Sequence, residues 1–264
     1  MTATSVSDNG RYPTFCYNAA RQDDVFHTFK RNPIYNRILE HLTPEQGAAY
    51  LNVILSDYDR KLTDEEWKVI LLNDSLGDPR TATYKFDDKV LTCAPTTLRY
   101  TKVMLDLSTM FDFDEIQTVA EVGVGYGGQC RIALNLLPID RYELVDLPEV
   151  LLLAERFLTA LNQTGDIRYR DGTHLYNDVP CDLVVSNYAF AELTKAVQDF
   201  YFDKIVRHAK AGYMTWNSEM FTQSGIAVGY GAQEFASKIP GAQIIPEVPL
   251  TAPGNCIVVW GTRK

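Results

Sequence analysis

At 264 residues, with a net charge of −9 and a pI near 5.0, the chain is long enough to bury a substantial core. It is too acidic to hold nucleic acid through a broad basic face. No run of about 18 apolar residues marks a membrane span, and the opening MTATSVSDNG has no basic stretch leading into an apolar one, so a soluble, cytoplasmic protein is expected.

From about residue 22 to residue 76 the pattern is helical, in VFHTFKRNPIYNRILEHL, TPEQGAAYLNVIL and TDEEWKVILLND. Thr43-Pro44-Glu45 and Thr63-Asp64-Glu65-Glu66 are helix starts, each with a capping hydroxyl and first-turn acids. Residues 77–95 break the pattern with Gly, Pro and short β-like runs, and Thr96 to Phe111 returns to helix. From residue 116, short apolar runs alternate with helical stretches. TVAEVGV, RYELVDL, DIRYRDG, CDLVVSNY and GYMTWNS read as strands; QCRIALNLL, PEVLLLAERFLTAL and DFYFDKIVRHA read as helices. Alternation of this kind predicts parallel βαβ units in a doubly wound, Rossmann-like sheet. The last two runs, AQIIPEVPL and NCIVVWG, leave no room for a helix between them and should pair antiparallel, bringing the sheet to seven strands. The division expected is a helical lid and substrate region over 1–95 and a cofactor-binding domain over 96–264. Cys16, Cys93, Cys130, Cys181 and Cys256 are scattered, with no CxxC pair and no adjacent histidine, which argues against a zinc site and a disulfide framework.

TVAEVGVGYGGQCRIAL carries Gly123, Gly125, Gly127 and Gly128 at a strand–helix junction, where bare backbone lets a ligand approach and the helix start offers free N–H groups. Two cofactors fit. Gly123-x-Gly125-x-x-Gly128 matches the dinucleotide fingerprint, with Asp146 placed for a ribose hydroxyl. Glu121-x-Gly123-x-Gly125-x-Gly127 matches the first motif of S-adenosylmethionine methyltransferases. A tight turn without a ligand is the third reading. Glu121 inside the strand suits a cationic cofactor better than a pyrophosphate, unless an exposed Arg131 offsets it. The fingerprint also lies behind a long helical segment, whereas NAD enzymes usually open with it. The terminal hairpin is the addition that separates the methyltransferase sheet from the plain dinucleotide-binding one, and it decides the reading.

EVGVGYGGQ, VSNYAFAEL, LRYTKVMLDL and PGNCIVVWG resemble a bacterial family of sugar O-methyltransferases, from about Gly77 to the C-terminus. The resemblance implies a class I methyltransferase fold, S-adenosylmethionine as cofactor and a sugar or glycoside hydroxyl as acceptor. A nicotinamide-dependent oxidoreductase and a non-catalytic binding module of the same fold stand as alternatives.

On this reading Glu121, Gly123, Gly125 and Gly127 cradle the methionine end of the cofactor, with Tyr126 at the loop tip, near the sulfonium or simply closing the loop. Asp146 accepts the ribose hydroxyls and Leu147 packs on the adenine, although Asp146 could also cap the following helix. Asp171-Gly172-Thr173 either meets the adenine amino group or forms an ordinary Asp-Gly turn. Ser186, Asn187 and Tyr188 end the fourth strand, where open α/β sheets gather ligands. The general base is Glu192, with His174 and Glu219 behind it; Glu192 could instead be a helix N-terminal acid. Asn217 and Glu219, just past the fifth strand, lie at the acceptor end. Arg99 and Tyr100 either close that end or only pack the lid onto the sheet. No metal, nucleic acid or membrane is expected as a partner, and the oligomeric state is open.

Overall fold

The computed structural model describes residues 10–86, 88–217 and 229–263. Among them, α1 (Arg11–Arg21), α2 (Asp23–His27), α3 (Pro33–Ile38), α4 (Pro44–Ser56) and α5 (Asp64–Leu71) precede a two-stranded antiparallel hairpin, β1 (Ala82–Phe86) with β2 (Lys89–Cys93). The segment read as helical from Val25 to Leu42 is broken. Pro33 cannot sit inside a helix, so α3 restarts there, with the Asn32 side chain accepting from the Ile34 amide at 2.9 Å. The two predicted helix starts are capping boxes, Thr43 with Gln46 and Thr63 with Glu66. Before the segment read as helical lies α1, whose buried Tyr12, Phe15, Cys16 and Ala19 form one stripe.

The second part follows the predicted alternation: α6 (Pro95–Met110), β3 (Thr118–Val122), α7 (Gly128–Leu136), β4 (Arg141–Asp146), α8 (Pro148–Ala160), β5 (Asp166–Asp171), β6 (Leu183–Asn187), α9 (Lys195–Lys204), β7 (Ala211–Trp216), β8 (Gln243–Pro246) and β9 (Cys256–Trp260). The sheet order is β5-β4-β3-β6-β7-β9-β8, parallel through β7 and antiparallel at β9 and β8. That is the seven-stranded class I methyltransferase sheet, with the C-terminal hairpin expected. The strand order switches from one side of the sheet to the other between the parallel β3 and β6, which opens a crevice at their carboxyl ends. Two departures stand out: α9 starts at Lys195, behind a Thr194 cap, rather than at Asp199, and a short helix that was not foreseen, α10 (Ala232–Ala236), precedes β8.

Side chains of β3 alternate between two cores. Val119 packs with the N-terminal helices and α6–α8, while Ala120 and Val122 face Phe190, Tyr201 and Trp216. The helical segment and the sheet thus share one apolar cluster, with α1 on α8, α4 on α6 and α6 on α7. Arg156 of α8 ties down α1 and α2, pairing with Asp23 and lying 4.1 Å from the Phe26 ring centre. On the sheet's far side Gly212 of β7 stands opposite Trp260 of β9, and the indole occupies the space a side chain at Gly212 would need.

Candidate functional site

A cavity of about 600 Å³ opens at the carboxyl ends of β3, β4 and β6, within the size range of small-ligand sites. From the sheet it is lined by Gly123, Gly125, Asp146, Leu147, Gly172, Thr173, Asn187, Tyr188, Glu192 and Asn217, and from α6 by Arg99. All of these were expected from the sequence.

Gly123 and Gly125 have φ of 82° and 54°, a region costly for other residues. A Cβ at Gly123 would strike Ala189, and one at Gly125 would come within 2.7 Å of Leu39. Asp146 is set by its backbone surroundings: Oδ2 accepts from the Val124 amide and Oδ1 from the Leu147 amide, both at 2.7 Å. Burial pushes this carboxyl up to about 6, against the pull of those amides and of the Gly125 amide. A carboxylate has about four acceptor positions, so some acceptor capacity remains beyond these amides. Across the cavity, Glu192 closes a single 3-10 turn, Ala189–Glu192, and accepts a hydrogen bond from Asn217. Burial pushes Glu192 up to about 7. It lies two residues before the Thr194 cap of α9, so it is not a first-turn acid of that helix.

Tyr188 adopts φ of 68°, uncommon for a residue with a side chain, and its hydroxyl donates to Glu247. Glu247 in turn accepts from the Thr251 amide at 2.9 Å and hydroxyl at 2.7 Å. These contacts bring Thr251, Ala252 and Asn255, from the loop between β8 and β9, to the cavity wall. Asn187 Nδ2 beside Tyr188 has no hydrogen-bond partner among the described residues.

Seven predicted residues do not line the cavity. Tyr126 is turned under the loop rather than placed at its tip: fully buried, it packs edge-on against Phe157 at 4.7 Å, with Lys30 Nζ 4.1 Å from its ring centre. Tyr100 lies behind it, 6.0 Å between ring centres. Gly127 begins α7 beneath Leu158. Glu121 faces the lid side of the sheet, where the Tyr142 hydroxyl donates to it at 2.9 Å and burial pushes its carboxyl up to about 8. Ser186 staples the turn, donating to the Val122 carbonyl and accepting from the Phe190 amide. Asp171 accepts from the Thr173 amide and hydroxyl, and exposed His174 sits outside on the same turn. Arg131, expected at the surface, is 3% exposed because it donates to the Val69 carbonyl and to Asn73. Glu219 lies outside the described residues.

The N-terminal helices supply wall residues that the sequence reading did not name: Tyr12 from α1, and Ile38, Leu39, His41, Leu42 and Gln46 around the α3–α4 junction. Desolvation at the wall, with the Arg99 charge nearby, pushes the His41 imidazole down to about 4, so it is neutral at neutral pH. Tyr201 of α9 also lines the cavity. Tyr12 was legible, because its spacing to Phe15, Cys16 and Ala19 is helical; the α3–α4 junction carries no comparable signal.

No family model and no curated protein match the sequence. Solved structures with a similar fold include the mitomycin 7-O-methyltransferase MmcR, 16% identical over 63% of this chain and 54% of that one, at a TM-score of 0.45. An O-methyltransferase family protein from Burkholderia thailandensis is 13% identical over 61% and 55%, at 0.45. Human N-acetylserotonin methyltransferase is 13% identical over 63% and 55%, at 0.43. The matched region spans about half the length of each of these chains. The likeness is distant, and the strand order of the sheet is what identifies the fold.

Proposed function

We propose that the protein is an S-adenosylmethionine-dependent O-methyltransferase acting on a hydroxyl of a small molecule, with a sugar or glycoside as the acceptor class that the sequence resemblance names. One observation carries the reading: a single cavity holds Asp146 and the bare backbone of Gly123 and Gly125 on one wall, and Glu192 with Asn217 on another.

The residues present suit this cofactor. Asp146 is fixed by the backbone amides of Val124, Gly125 and Leu147 and keeps acceptor capacity for a ribose hydroxyl. Gly123 and Gly125 leave the loop without side chains where an amino-acid tail would run, and Leu147 offers an apolar surface for a flat base. S-adenosylmethionine supplies the electrophilic methyl group when bound.

Everything else falls to the chain. Its walls must align an acceptor oxygen with the methyl carbon and exclude water. Glu192, pushed up to about 7, is substantially ionised at neutral pH and still basic enough to take the hydroxyl proton. Asn217 orients that carboxyl.

Calorimetric titration with S-adenosylmethionine, S-adenosylhomocysteine and NAD tests the cofactor, and turnover on a glycoside panel tests the reaction. Binding of NAD in place of both adenosyl compounds would overturn the reading.

A further inference from the structure

Arg99 is 5% exposed and lines the cavity, yet it forms no ion pair with a carboxylate among the described residues. Its hydrogen bonds are a long one, 3.5 Å to the Leu39 carbonyl, and one to the neighbouring Tyr100 hydroxyl, and Nε has no partner. A guanidinium stays charged in any protein setting, and burying it unpaired is expensive. Glu40 acts on it electrostatically, but burial pushes the Glu40 carboxyl up and weakens it as a counter-charge. The group is nonetheless held in place, 5.7 Å from the Tyr100 ring centre and 5.6 Å from that of Tyr188. A desolvated cation that lines a cavity and keeps an unpartnered donor is suited to planar recognition of an anion.

The charge balance of the cavity narrows the anion. Among the described lining residues Arg99 is the only lysine or arginine, and Asp146 and Glu192 are already acidic. One cation beside two carboxyl groups suits a singly charged carboxylate. It does not suit a diphosphate, which needs several donors or a metal.

We propose that Arg99 is the anion-binding residue of this cavity and that it takes a carboxylate of a bound ligand. Resting on the methyltransferase reading, the carboxylate has two sources: the amino-acid tail of the methyl donor, or an acid group on the acceptor.

Calorimetry on the full chain separates the sources, using S-adenosylhomocysteine and its decarboxylated analogue as one pair. Glucuronate and glucose, added to protein saturated with S-adenosylhomocysteine, form the other. If the donor tail is held, Arg99→Gln weakens S-adenosylhomocysteine at least tenfold and leaves the decarboxylated analogue within twofold, while Arg99→Lys recovers part of the loss. If the acceptor is held, both adenosyl compounds bind Arg99→Gln as they bind the wild type, and the wild type's preference for glucuronate over glucose disappears. Equal behaviour of Arg99→Gln and wild type towards all four compounds overturns the proposal. Should the variants fail to fold, the wild type decides alone: no preference for the carboxylate-bearing member of either pair overturns it. If the wild type binds neither adenosyl compound, the methyltransferase reading falls, and glucuronate against glucose on the unloaded protein still decides Arg99.

Discussion

Asn217, one residue past the end of β7, hydrogen-bonds the Glu192 carboxyl that lines the cavity. Burial raises this carboxyl and the bond lowers it, to about 7 on balance, so the pair sets the pH at which Glu192 ionises. Glu192→Gln should leave S-adenosylhomocysteine affinity within about threefold and reduce kcat/KM by roughly 10²–10⁴. Asn217→Ala should move the ascending limb of the kcat/KM–pH profile to higher pH, because a bond to the ionised form is lost. A fully active Glu192→Gln enzyme would remove Glu192 from the chemistry.

Asp146→Ala should lose two charge-assisted hydrogen bonds, each worth about 1.5–3 kcal/mol, and weaken S-adenosylhomocysteine by at least about tenfold. The same change frees the Val124 and Leu147 amides, so Asp146→Asn, which keeps one acceptor, should fall between. Calorimetry on both variants checks the order; unchanged affinity in Asp146→Ala would sink the ribose assignment.

The glycines should separate into two kinds. Gly127→Ala, at φ of 80° with Leu158 at 3.1 Å from the added carbon, should cost about 1–2 kcal/mol of stability with cofactor affinity little changed. Gly123→Ala should cost stability and affinity together, since the loop must move away from Ala189 at the cavity wall. Denaturation midpoints and calorimetry on the two variants distinguish them.

Asp106 is the acceptor for three buried donors. Lys102 pairs with it at 2.5 Å, and the hydroxyls of Tyr58 and Tyr213 each donate at 2.5 Å. Asp106→Ala strands a buried cation and two hydroxyls, and should cost about 3–5 kcal/mol. Urea unfolding measures it; a loss under about 1 kcal/mol would show the cluster contributes little.

Stability should fall with rising pH. Asp146, Glu192 and Glu121 are raised from 3.8, 4.5 and 4.5 to about 6, about 7 and about 8. A carboxyl with a folded pKa above its unfolded value binds its proton more tightly when folded. Its contribution is therefore complete below the ordinary value and is lost as pH climbs through the shifted one. Urea midpoints should drop between about pH 5 and about pH 8, and Glu121→Gln should flatten the upper part of that slope.

The sheet was legible because its strands are short apolar runs separated by helical periodicity, a signal that survives without tertiary information. Gly123, Gly125 and Asp146 were legible for the same reason, since strand ends fix where a loop must lie. Contacts that join distant segments were not. Tyr188 meets Glu247 across 59 residues, and nothing local in TAPGN announces that Thr251 and Asn255 line the cavity. Arg131 misled because a charged residue in a helix is usually solvated, and its partners come from α5 and the turn after it. Tyr126 misled because motif position says nothing about which way a ring turns.

Gly212 and Trp260 act at a distance from all of this. With side chains alternating along a strand, a slip of one residue in the β7–β9 pairing would put the indole against Tyr213 or Ala211 and turn the whole strand over. The slot left by one missing side chain therefore works as a registration notch. It fixes Cys256 opposite Trp216, and so fixes where the β8–β9 loop leaves the sheet relative to Asn217 and Glu192. The shape of that cavity wall is indexed from the opposite end of the strand, by the fit of one ring over bare backbone.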